Sequence, residues 1–271
     1  MKRAGLIFFV YVTAFLVLAA TAFIFVKILA EGTRVMTWDF IFEFPQGMPP
    51  GTAGGIFPAI VGSLLSGLVA AVAASFTAIA LAAWLTFFCT NKTVYGICRF
   101  CTECVSGIPS ILLGLFGYSF FLMHLGVPKS VLTAGLTLAI MIVPFIAVRT
   151  EKIFREFPVA QIEAAEALGI SKAYILVTLI IRKQVRQLAV TVALATAYAM
   201  GAAAPVMFTG AVLYARELPG LADPFMSLPY HLYILVSEGY SLNMAYGTAF
   251  VLLIMLLGIN ILCRFAGRSG R

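Results

Sequence analysis

Few side chains in these 271 residues can do chemistry. His124 and His231 are the only histidines. They fall near opposite ends of different apolar runs, too far apart to act as a base and its partner within one span. No H-E-x-x-H is present to hold a catalytic zinc, and no G-x-x-x-x-G-K-[ST] loop to cradle ATP phosphates. Cys98, Cys101 and Cys104 form C-x-x-C-x-x-C. A zinc or iron–sulfur centre needs a fourth ligand, and no nearby Cys or His supplies one. The three are read as small apolar packing residues near a membrane surface, with no metal. Five cysteines, an odd number, also argue against a disulfide scaffold. The apolar runs contain no Asp or Glu, so neither an intramembrane protease nor a proton-driven carrier finds its ionisable groups there. An enzyme is not expected, and energy is expected to enter from outside the chain.

The elements that position the remaining polar residues follow from composition. Hydrophobic residues make up 62% and charged residues 11%, against about a quarter charged in a soluble domain. Mean hydropathy is +1.04. A soluble fold cannot hide that much apolar surface. A bilayer crossing needs about 20 apolar residues, and in lipid such segments must be helical. Six charge-free runs qualify: Ala4–Val26, Phe44–Asn91, Val105–Pro128, Ser130–Val148, Gln187–Ala215 and Gly239–Cys263. The first is longer than a cleavable signal and is expected to remain as an anchor. Pro45, Pro49, Pro50, Gly51, Gly54 and Gly55 break the second, so residues 30–55 are expected to be an external loop and the helix to run from Pro58 to Cys89. The expected fold is all-α and polytopic, with about six transmembrane helices. Residues 1–53 are expected to form an N-terminal transmembrane helix and external loop, and residues 54–271 a transmembrane domain with cytoplasmic helices at about 151–186.

Of the 18 Lys and Arg residues, 14 lie at the N-terminus, between spans two and three, in 149–187 and in the tail. The net charge of +7 is thus placed by membrane topology rather than for nucleic acid, and both termini are expected to be cytoplasmic. The segment 149–187 is too polar to span. Glu151–Phe157 is expected to be a short helix, Val159–Leu168 a second one stopped by Gly169, and Lys172–Arg186 a third.

Within that segment stands Glu163-Ala164-Ala165-Glu166-Ala167-Leu168-Gly169, followed by Leu179-Ile180-Ile181-Arg182. Small Ala164, Ala165 and Gly169 suit a helix lying close in a groove, and a branched side chain at Gly169 is expected to fill the turn. The stretch resembles the E-A-A, three residues, G, nine residues, I-x-L-P signature of bacterial ABC-importer permeases, with Arg182 in place of the final proline. Further segments resemble one branch, the A-type permeases of the phosphate (Pst) importer. They are Gly54–Gly62, Ser106-Gly107-Ile108-Pro109-Ser110-Ile111-Leu112-Leu113-Gly114-Leu115-Phe116-Gly117, Leu132–Leu138 and the Gly201 to Thr209 stretch. These small residues also suit plain helix packing in membranes.

The resemblance implies an ABC type I importer permease fold (MetI-like). It implies that Glu163, Ala164, Ala165 and Gly169 couple to a cytoplasmic ATPase, which uses ATP-Mg; no cofactor is bound by this chain. The implied partners are a second permease (PstC-like), an ATPase dimer (PstB-like) and an external phosphate-binding protein (PstS-like). The implied location is the bacterial inner membrane, and the implied substrate is inorganic phosphate. The candidate translocation path comprises Ser106, Ser110, Arg149, Glu151, Tyr198, Ala202 and Thr209. Two departures matter. Where the family carries R-x-x-G-E, this chain has Tyr198 and Ala202. Glu151 aligns with the Glu of the family's R-T-T-E, while Val148 takes the place of its Arg and Arg149 follows one position later. The departures leave open a different oxyanion or small solute, or a scaffold or sensor subunit that does not conduct.

Overall fold

The computed structural model describes residues 2–48, 51–215 and 217–268. Pro49 and Pro50, used above as breaks, and Arg271, one of the tail charges, lie outside them. The order is α1 (Lys2–Val35), α2 (Trp38–Phe42), a two-stranded antiparallel pair β1 (Pro45–Gln46) and β2 (Ala53–Gly54), α3 (Phe57–Ala83), α4 (Lys92–Ser106), α5 (Ser110–Gly117), α6 (Val131–Arg155), α7 (Val159–Ala167), α8 (Lys172–Tyr174), α9 (Arg182–Met200), α10 (Ala203–Thr209), α11 (Leu228–Ser237) and α12 (Leu242–Arg268). Single π-helical stretches extend α3 (Trp84–Phe88) and α5 (Tyr118–His124) and join α8 to α9 (Ile175–Ile181).

Four helices are long and apolar enough to cross a membrane alone: Ile7–Val35, Phe57–Phe88, Val131–Arg155 and Leu242–Phe265. Two more spans are reached only as bent pairs, Lys92–Ser106 with Ser110–His124 at 100° and Lys172–Met200 with Ala203–Thr209 at 69°. With wide apolar faces exposed, this is a multi-pass membrane protein. The third and fifth apolar runs are thus each two helices joined at a bend. Gly107 closes α4 and Pro109 precedes α5, while Gly201 and Ala202 separate α9 from α10. The expected polar loop around Lys92 and Arg99 is instead α4, started by Asn91, whose side chain accepts from the N–H groups of Thr93 and Val94.

Other boundaries shift too. The first helix continues past residue 30 to Val35, where it lies against α12, and Lys27 sits 5.9 Å above the ring of Tyr246. Glu151 and its neighbours are the end of α6 rather than a separate helix. Pro144 is accommodated inside α6, which runs on to Arg155.

The core centres on α6. Ala70, Ala74, Ala78 and Ala82 form a fully buried i, i+4 stripe on α3 that lets it lie close along α6. A side-chain atom on Gly135 would strike Val69, and one on Gly114 would come within 2.9 Å of Ala204 and Pro205 backbone atoms. The start of α6 carries a capping box between Ser130 and Thr133, and the Thr133 hydroxyl donates to the carbonyl of Thr209 at 2.8 Å. These contacts fix α5 and α10 against α6. A second apolar cluster (Ala82, Phe154, Phe157, Ile175, Ile180 and Leu188 among its members) joins the other end of α6 to α3 and to the approach to α9.

Candidate functional site

The end of α6 carries the densest polar group. Glu151 is buried, yet it is a carboxylate, and such a group needs partners. They come from two helices. The Tyr95 hydroxyl on α4 donates to one carboxylate oxygen at 2.7 Å, and Arg155, one turn along α6, donates to the same oxygen at 3.0 Å from Nε and 2.9 Å from Nη2. Arg99 Nη1 on α4 reaches the other oxygen at 3.5 Å and meets the Tyr95 oxygen at 3.1 Å. Arg99 Nε donates to Glu103 at 3.1 Å. The Arg155 guanidinium lies 5.5 Å from the Tyr95 ring centre.

Tyr95, Arg99 and Glu103 are spaced i, i+4, i+8, so they share one face of α4. No residue of α4 is buried. The interactions of Tyr95 and Arg99 with Glu151 therefore make the polar attachment of this helix to α6.

This network borders a cavity of about 880 Å³ between α4, α5, α6 and α9. Of the residues expected on a path, the cavity gathers Ser106 and Ser110 at the α4–α5 break, Arg149 and Glu151 on α6, and Tyr198 on α9. Arg149 makes no ion pair among the described residues, whereas Lys152 faces Glu156 at 3.8 Å. Ala202 and Thr209 lie elsewhere. Ala202 packs against the α3–α6 core at the α9–α10 break. Thr209 is fully buried, its hydroxyl donating to the Pro205 carbonyl at 2.8 Å. Sequence reasoning missed Arg99, Glu103 and Arg155 as cavity groups, and Tyr95 as the hydroxyl that joins Arg99 to Glu151. The usable signal was the four-residue spacing on α4, hidden by treating that stretch as a loop.

The second locus is α7, which holds Glu163, Ala164 and Ala165. None of its residues is buried. The Gly169 N–H donates to the Glu166 carbonyl at 2.9 Å and the Ile170 N–H to the Ala165 carbonyl at 3.2 Å, with Gly169 at φ +77°. This is a Schellman closure. A side-chain atom at Gly169 would meet nothing within 4 Å, so the turn needs glycine for its backbone and not for room. Glu166 faces Lys172 at 3.9 Å across the turn, and Gln161 accepts from Lys183 at 2.8 Å. Cys98 and Cys101 line a separate apolar groove between α3, α4 and α6, and Cys104 is exposed.

Comparison with known proteins adds the following. A family model described as "Binding-protein-dependent transport system inner membrane component" matches residues 78–268. The phosphate transport system permease protein PstA of Mycobacterium leprae is 30% identical over 258 residues, covering 93% of this chain and 84% of that protein. The phosphate transport system permease protein PstA 2 of Mycobacterium tuberculosis is 27% identical over 244 residues, covering 89% and 79%. Among solved structures, the inward-facing MetNI methionine ABC transporter superposes with a TM-score of 0.59 at 17% identity, over 80% of this chain and 94% of that one. That likeness concerns the fold alone.

Proposed function

The chain belongs to the binding-protein-dependent transport system inner membrane component family, and from that premise we propose that it is the A-type permease half of an ABC importer for inorganic phosphate. The observation that carries the substrate reading is the cavity beside Arg149: an arginine without an ion pair among the described residues, on the same end of the bundle as α7, in a wall that combines apolar side chains such as Leu113, Met141 and Phe145 with the hydroxyls of Ser106, Ser110 and Tyr198 and with paired charges. Oxyanions are held by such unpaired guanidinium groups. In this reading the cavity is one side of the path, and a second, related permease supplies the other. An external binding protein delivers the anion. A cytoplasmic ATPase dimer, which uses ATP-Mg, takes up α7 through Glu163, Ala164, Ala165 and the turn at Gly169. Both termini, α7 and the Arg149 end of α6 then lie in the cytoplasm, as the Lys and Arg distribution favours.

The test is uptake of labelled phosphate by the complete complex in proteoliposomes, driven by ATP on the ATPase side. Competition by unlabelled phosphate but not by sulfate or molybdate is expected. Preferential competition by another oxyanion would replace phosphate as the substrate. ATPase activity with no uptake of any anion would favour a subunit that senses without conducting.

A further inference from the structure

Arg99 is held unlike the other cations of the cavity. Its Nε is engaged by Glu103, and Nη1 by the Tyr95 oxygen and Glu151. Nη2, with two N–H donors, has no partner among the described residues. The two carboxylates on Arg99 differ sharply. Glu151 is 7% exposed at its side chain and is fixed by three groups. Glu103 is 59% exposed, and among the described residues its carboxylate pairs only with Arg99, at i, i+4. Exposed pairs of that kind are weak and easily exchanged. An oxyanion entering the cavity therefore meets a guanidinium with a firmly held carboxylate behind it, a loosely held one beside it and two donors unused. The planar fork of arginine suits two oxygens of one anion. Arg149, without an ion pair among the described residues, offers a second cation on α6 within the same cavity.

We propose that Arg99 contacts the transported oxyanion in this cavity, that Glu151 and Tyr95 position it, and that Glu103 is an internal carboxylate competing with the anion for the guanidinium. The proposal rests on reading the cavity as part of an oxyanion path. It assigns α4 a part in substrate selection in addition to packing.

Two measurements test it. The first is phosphate uptake by the complete complex in proteoliposomes. Arg99→Gln is expected to raise KM about tenfold, the usual scale of one lost charged hydrogen bond, and Arg99→Lys to raise it less. Glu103→Gln is expected to lower KM about threefold, and to have no effect once Arg99→Gln is present, because the two act on one another. The second measurement does not depend on the transported species. Ser106→Cys is placed in a chain whose five native cysteines are alanine, and its rates of modification by a negatively and a positively charged thiosulfonate reagent are compared. The negative reagent is expected to be favoured, and Arg99→Gln to reduce that preference about fivefold.

A parental KM in Arg99→Gln, or a raised KM in Glu103→Gln, overturns the proposal. So does a reagent preference that Arg99→Gln leaves unchanged. If the parent complex takes up no phosphate but the reagent preference falls as stated, Arg99 stands as the anion-facing charge and the phosphate reading fails. If phosphate is taken up normally and Arg99→Gln changes neither quantity, the phosphate reading stands and this proposal fails.

Discussion

Replacing Gly169 separates two explanations for a glycine in the turn after α7. Room is not the constraint, because a Cβ there would have nothing within 4 Å. Conformation is, because φ is +77°. A non-glycine residue held in that region costs about 1 to 2 kcal/mol. The cost falls on a nine-residue helix with no buried side chain, closed by two hydrogen bonds at 2.9 and 3.2 Å. A helix that short has little stability of its own. The strain is therefore expected to unravel the end of α7 while the buried bundle stays folded. At 1 to 2 kcal/mol the closed form loses a factor of about 5 to 30. If the ATPase binds only the closed form, its apparent affinity falls by up to that factor.

The assay is titration of the detergent-solubilised chain, together with the proposed second permease, with the purified ATPase proposed above. Gly169→Ala and Gly169→Leu are expected to weaken binding by similar factors, with unchanged melting of the bundle. Gly169→Asn should be milder, because asparagine tolerates positive φ. Parental affinity in Gly169→Ala beside a large loss in Gly169→Leu would refute the reasoning, since it would make room against the partner the constraint.

His231 is buried beside Gly51, its Nε2 has no partner among the described residues, and burial pushes its pKa from 6.5 down to about 4. Between those values the unfolded chain holds the proton and the folded one does not. Stability is thus full above about pH 6.5, falls as the pH drops, and is lower by about 3 kcal/mol near pH 4; melting of His231→Gln in detergent should lose that slope. Ser63→Ala removes the acceptor of the buried Leu228 N–H at 2.8 Å, and a fall in stability of about 1 to 3 kcal/mol is expected from the same melting experiment. A reporter active only outside the cytoplasm should be silent when fused after Arg271 and active when inserted at Gln46; the reverse pattern would invert the proposed orientation.

The spans were legible because lipid solvation writes itself into composition. Runs such as Ser130–Val148 have no alternative to a buried or lipid-facing helix, and they emerged with only their ends misplaced. The breaks were legible only through Pro109 and Pro205, beside which helices begin. Gly107-Ile108-Pro109 and Gly201-Ala202 are apolar, so a search for charge-free stretches passes through them. They bend because backbone hydrogen bonding stops there while α5 and α10 are held by contacts with α6. The site was half legible. Arg149 and Glu151 could be placed from a motif, but Tyr95 and Arg99 reach Glu151 across 56 and 52 positions, and only the folding of α4 onto α6 creates that neighbourhood. Thr209 resembled a path hydroxyl because a sequence cannot distinguish an exposed threonine from one bonded back to the carbonyl four residues earlier, as this one is.

The placement of α7 relative to the cavity has a mechanical meaning. Glu151 and Phe154 stand on the last turns of α6, the former turned to the α4 network and the latter buried in the apolar cluster with Phe157 and Ile175. Only Glu156, Phe157 and Pro158 separate the end of α6 from α7. Close-packed clusters transmit displacement rather than absorb it. A force on α7 thus reaches Phe157 within two residues, and through Phe154 the same helical turn that anchors Arg99 and Arg155. The apolar cluster is extensive and the polar network is a handful of bonds, with α4 otherwise unburied. Displacement is therefore expected to be taken up by the bonds from Tyr95 and Arg99 to Glu151, and α4 is the element whose position responds.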